Sequence, residues 1–157
     1  MFRHFRWQSQ GTVSLELCLV TPLLLFMFIG IFDMGFLVFQ QMEVQAAADA
    51  GATFAVAQGT TNWNSTTIGN VVAGAAYPTQ TAITGSASWA CACPNSTNTG
   101  IVGVGAAPNC SGLPKCPNGV DAPGVYALIS AQATPTPIFN WPGYPAHVQS
   151  GVVVRIK

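Results

Sequence analysis

Residues 17–39 read LCLVTPLLLFMFIGIFDMGFLVF, 23 positions with one charge, Asp33. Coiled as an α-helix at ~1.5 Å per residue, the run is long enough to cross a bilayer hydrocarbon core, which needs about 20 residues. Upstream lie Arg3, His4 and Arg6, while the downstream flank, 40–58, carries Glu43 and Asp49 and no base. The positive-inside rule then puts the N-terminus in the cytoplasm and everything after the span outside. Over the whole chain five basic residues balance five acidic ones, so there is no electrostatic footprint for nucleic acid. Past Gln58 the composition turns to Gly, Pro, Ser, Thr, Asn and Ala. The 157 residues thus read as one anchored chain with a small polar head.

The pattern beyond the span predicts an α+β fold. Residues 40–58 continue the helix outward, with Val44, Ala47, Ala48, Gly51 and Ala55 recurring at helical spacing and Gly59 as a C-cap. A short second helix is expected from Ser65 to Ala76, with Ile68, Val71, Val72, Ala75 and Ala76 on one face and Pro78 as a stop. The period then drops to two. Ile83, Ala87, Trp89, Cys91 and Cys93 share one side of a strand, with Thr84, Ser86 and Ser88 opposite. Ala127, Ile129 and Ala131 line a second strand, 125–133, and Val152, Val154 and Ile156 a third. Between the first two strands, Pro94 to Asp121 reads as a Gly/Pro/Asn-rich loop, unusually long for a compact domain. Phe139, Trp141 and Tyr144, spaced by Pro142 and Pro145, read as a small satellite core, with a contact surface as the alternative.

Four cysteines, Cys91, Cys93, Cys110 and Cys116, fall in the exported part, where disulfides persist; Cys18 lies within the apolar run. Bridges from the first two to the last two would staple the loop. The nested choice, Cys93–Cys110 with Cys91–Cys116, is slightly favoured. Zinc is the competing use of four thiols, and the C-x-C and C-x5-C spacings match the usual knuckles poorly.

A secretory signal has an apolar core of about 7–15 residues and a small-residue cut site; this core is longer and no such site follows it cleanly. A plain uncleaved anchor would satisfy length and flanks. Gly11, however, stands between the basic tail and the apolar run, with Glu16 the fifth residue after it. GTVSLE resembles the processing site of prepilins, which a membrane aspartyl peptidase cuts just after the glycine. The wider stretch is similar to the TadE-like minor pseudopilins of Tad/Flp pilus systems. Their pattern of an acidic residue, V-x-P followed by leucines and G-I-x-[ED]-x-G falls here on Glu16, Val20, Pro22, Gly30, Ile31, Asp33 and Gly35. Residues 46–52 resemble the family's "AAREGAR" segment, with Asp and Thr in place of the basic residues. The resemblance runs from Gly11 to about Gln58 and fades across the head, apart from a terminal strand ending in a base.

That resemblance implies a pilin-like lollipop with a cleaved basic leader (1–11), a transmembrane and pilin helix (12–58) and a disulfide-stapled head (59–157). Cutting between Gly11 and Thr12 would free an amine about one helical turn from Glu16. A carboxylate in the first turn also gains ~0.3–1 kcal/mol from the helix dipole. In a dry filament core Glu16 is tolerable only when paired, and the amine of the same or a neighbouring subunit is its expected partner. The alternative is a solvated headgroup position with no role. Pro22 removes a helix hydrogen bond, freeing the Cys18 carbonyl, and is either a tolerated kink or a weak point used in extraction. Asp33, roughly 25 Å beyond Glu16, is expected near the outer bilayer face, either as an interfacial group within reach of water or in a packing or partner contact. Gly30 and Gly35 leave room for close helix approach.

No catalytic constellation is visible. The histidines are His4 in the tail and His147 in the head, and the head's one acid after Asp49 is Asp121. The glycine-rich stretch near Gly103 lacks the strand–helix context of a phosphate loop. The expectation is therefore a non-enzymatic, cofactor-free building block in the inner membrane that later joins an extracellular pilus. Expected partners are other pilin subunits, the prepilin peptidase, the inner-membrane assembly platform and lipid before assembly, with no specific nucleic-acid contact. Two readings compete. One is a major or minor subunit of another type IV-like filament; the other is an uncleaved single-span anchor presenting a disulfide-bonded binding head.

Overall fold

The computed structural model describes residues 10–75, 82–95, 97, 100–107, 110–116, 122–139 and 142–157, with side chains from Ser14 onward. A single α-helix, α1 (Gln10–Gln58, 49 residues), is followed by a short helix, α2 (Ser65–Gly74), and a four-stranded sheet. Its strands are β1 (Ile83–Pro94), β2 (Ile101–Ala106), β3 (Gly124–Ala133) and β4 (Val148–Arg155). The sheet is antiparallel throughout, in the order β2-β1-β3-β4. The expected α+β lollipop is what forms.

Local chemistry sets the boundaries. Gly59 ends α1 in the left-handed region (φ 65°), donating its N–H to the Ala55 carbonyl, a conformation that glycine adopts without a Cβ clash. Asn64 opens α2 by accepting the N–H groups of Thr66 and Thr67 at 3.1 Å each. Within α1, Thr21 returns its hydroxyl to the Leu17 carbonyl at 2.6 Å, one residue before Pro22.

Both helices pack on one face of the sheet. The head-facing stripe of α1 is Val44, Ala47, Ala48, Ala52 and Ala55, with Gly51 buried among them. Small residues let the backbones approach closely: a Cβ at Gly51 would strike Val72 of α2. From the sheet come Ile83, Ala127, Ile129, Ala131, Ala133 and Val148, alternating with polar residues as the period of two requires. On the opposite, exposed face Ser86 and Ser130 share a hydrogen bond at 2.7 Å across β1 and β3. Trp63 and Trp89 stack at 4.8 Å beside the core, an offset ring pair that hydrophobic periodicity does not reveal.

Three expectations need correction. The second helix ends at Gly74; its buried residues are Ile68, Gly69 and Val72, while Ala75 is exposed, and Ala76 and Pro78 lie outside the described residues. The stretch from Pro94 to Asp121 is not one loop, because Pro94 closes β1 and residues 101–106 fold back as β2. The bridges are Cys91–Cys110 and Cys93–Cys116 rather than the nested pair. The hairpin explains the pairing. Since β2 runs antiparallel to β1 and ends with Ala106 opposite Ala90, the chain leaves beside Cys91 and reaches Cys93 only later. The Cα–Cα separations, 5.6 and 5.5 Å, are those of ordinary bridges.

Candidate functional site

The sequence-predicted processing and assembly residues are strung along α1, while the four predicted bridge cysteines pair in the head. Every residue from Ser14 to Phe28 is exposed, including Leu15, Leu17, Leu19, Leu23, Phe26 and Met27. A helix apolar on all sides belongs in an apolar medium, and this one is long and apolar enough to cross a membrane.

Glu16 is exposed among these leucines. Helix α1 is already helical at Gln10, ahead of Gly11, so Glu16 lies beyond the first turn. The expected dipole benefit to Glu16 requires a helix that starts at Thr12. Gly11 and Thr12 are part of the helix and lie outside the described side chains. Pro22 and Cys18 are exposed on the apolar run, and Cys18 is a free thiol.

Asp33 does not reach water. It is 2 % exposed, and its carboxylate accepts the backbone N–H of Ile138 at 2.9 Å and that of Phe139 at 3.2 Å. The loop between β3 and β4 thus descends along α1 and ties itself to the acid. Two backbone N–H groups thus converge on one buried carboxyl group and satisfy polar atoms on both sides of the contact. Around it Gly30, Met34 and Leu37 face Pro142, Tyr144 and Pro145 across a cleft of about 310 Å³. Burial, then the nearby Asp33 carboxylate, holds the Tyr144 phenol above its ordinary value. Its hydroxyl has no hydrogen-bond partner among the described residues. One helical stretch further on, Gln40 is 1 % exposed and its amide is likewise unpartnered there.

The sequence supplies no marker for the Asp33 contact, because its partners are backbone amides more than a hundred residues away. Of the loop aromatics, Phe139 and Tyr144 lie near the acid, and Trp141 lies outside the described residues. Gly30 and Gly35 have open space where a Cβ would stand, so nothing among the described residues uses their smallness. Among the described residues no three His, Cys, Asp or Glu side chains come together as a metal site. His147 is exposed, and Asp121 lies outside the described residues.

A long unburied apolar helix with Glu16 in its exposed stretch is joined to a small disulfide-tied head. Residues 11–53 match the family model of TadE-like proteins, which bears out the resemblance read from Glu16, Pro22 and Asp33 and supports a TadE-like protein of Tad pilus systems. The match covers most of α1 and stops before the head. No curated protein and no solved structure matches the chain.

Proposed function

We propose that this chain is a minor pilin or pseudopilin subunit, incorporated into or priming a Tad/Flp-type pilus that serves adhesion, secretion or DNA uptake. In this reading residues 1–11 are a cytoplasmic leader removed by a prepilin peptidase. Residues 12–58 are the transmembrane and pilin helix, whose exposed apolar stretch first spans the inner membrane, N-terminus inside, and later packs against neighbouring subunits. Residues 59–157 are the displayed head, and the assembly platform drives the transfer. The observation that carries the reading is the coincidence of the family match with a helix exposed on all sides from Ser14 to Phe28. Such a surface needs lipid before assembly and other helices after it.

Cutting at Gly11 gives Glu16 its counter-ion. The Thr12 amine would lie four residues back, about 6 Å along the axis, close enough for the same or an adjacent subunit to pair with the carboxylate. Mass spectrometry of the mature protein tests the reading. We expect an N-terminus at Thr12, and a full-length chain retained in the membrane for Gly11→Val. An intact Met1 on assembled protein would overturn it in favour of an uncleaved anchor.

A further inference from the structure

The loop that grips Asp33 carries exposed apolar side chains. Ile138 is 66 % exposed and Phe139 46 %. Beside them on α1, Ile31, Phe32 and Met34 are each more than 60 % exposed. From Thr134 to Ala146 the loop sequence, TPTPIFNWPGYPA, contains no Asp, Glu, Lys or Arg. It does contain Tyr144, which lines the cleft beside Asp33 and is of a residue type enriched where a membrane meets water.

Height along the helix supplies the independent argument. Asp33 lies 21 residues beyond Thr12, about 31 Å at the helical rise, against a hydrocarbon core of about 30 Å. With Thr12 at one face, Asp33 stands at the other. The hydrogen bonds from Ile138 and Phe139 hold the loop at that level. We propose that the β3–β4 loop is a membrane-docking element, with Ile138 and Phe139 entering the head-side leaflet next to α1. This rests on the spanning reading of α1 given above. Docking gives the Asp33 site two functions: the loop's amides satisfy a carboxylate at membrane depth, and the carboxylate fixes how far the loop can dip. The head would then lean on the bilayer rather than swing above it.

Depth measurements on the full chain in phosphatidylcholine/phosphatidylglycerol liposomes test this. A nitroxide is attached at Ile138→Cys in a Cys18→Ser background with both bridges oxidised. Comparison labels stand at Phe26→Cys, in the middle of the apolar run, and at Ser88→Cys, on the exposed sheet face. We expect the Ile138 label to collide with dissolved oxygen several-fold more readily than with a water-soluble nickel chelate, as the Phe26 label does, and the Ser88 label to show the reverse. If position 138 follows Ser88 while Phe26 stays in lipid, docking fails and the spanning helix stands. If Phe26 also follows Ser88, the spanning reading fails and takes docking with it. A label at 138 shielded from both reagents would mean that protein, such as a second copy of the chain, covers the loop, which also overturns the proposal.

Discussion

The two halves of α1 are one continuous helix built on opposite packing rules. From Ser14 to Phe28 the side chains are large, and every one of them is exposed. From Val44 to Ala55 the inward-facing side chains are nearly all alanine, and all are buried against the sheet and α2. Large apolar groups would ordinarily be expected inside, where burial is worth ~25 cal/mol per Å². Here the stretch of α1 inside the head packs by close backbone approach, and the bulky apolar surface is left exposed. Size of side chain, more than hydrophobicity, separates the part of the helix that packs within this chain from the part that does not. Asp33 marks the changeover.

Four experiments press on that division. Glu16→Val should have the largest effect: fibres lost or nearly so, with the mature protein still made and the head's thermal melt unchanged. Ordinary fibre yield would remove the proposed charge-pairing role from this half of the helix. Next, replacing Cys91 and Cys110 together with serine should cost the head about 2–5 kcal/mol in denaturant unfolding, since the bridge closes a loop of the chain. Membrane retention should be unaffected, and loss of retention would show that the halves are not independent.

A pair of glycines gives a finer test. A Cβ at Gly85 would stand 2.5 Å from Val72 Cβ and 2.6 Å from the Gly69 carbonyl oxygen, where α2 crosses β1. Gly85→Val should therefore destabilise the head by ~1–3 kcal/mol through overpacking. Gly30→Ala meets nothing within 4 Å and should leave the head's melt unchanged. The smallest effect belongs to Tyr144→Phe. With no partner for the hydroxyl among the described residues, its loss at neutral pH should change stability by less than about 0.5 kcal/mol. The wild-type phenol keeps its proton longer in the folded chain than in the unfolded one. Stability should consequently fall as pH rises past about 10, the unfolded value, until the folded phenol also ionises. Thermal melts across that range should show the decline in wild type and its absence in the phenylalanine variant.

Much of this architecture was legible where a periodic pattern meets a one-sided core. The small-residue stripe on α1 and the alternation of β1, β3 and β4 follow from burial on one face only. β2 escaped for a physical reason. Its sequence, IVGVGA, carries Gly103 and Gly105, and glycine in a strand reads as loop. A Cβ at Gly105 would stand 2.6 Å from Leu113 Cδ1, so the glycine admits the returning chain rather than marking a turn. Missing β2 also hid the bridge pairing, because only the hairpin brings the chain back beside Cys91. The Asp33 tie was illegible in another way: backbone amides are present at every residue but proline and leave no trace in composition.

The Asp33 contact joins positions 105 residues apart. At ~5–20 residues per second, ribosomes deliver Ile138 roughly 5–20 s after Asp33. During that interval the helix is already available for insertion while its acid still lacks those two amides. On the spanning reading of α1 the anchor is placed first and the head clamped afterwards, so a nascent chain released before Ile138 would carry its anchor without its brace.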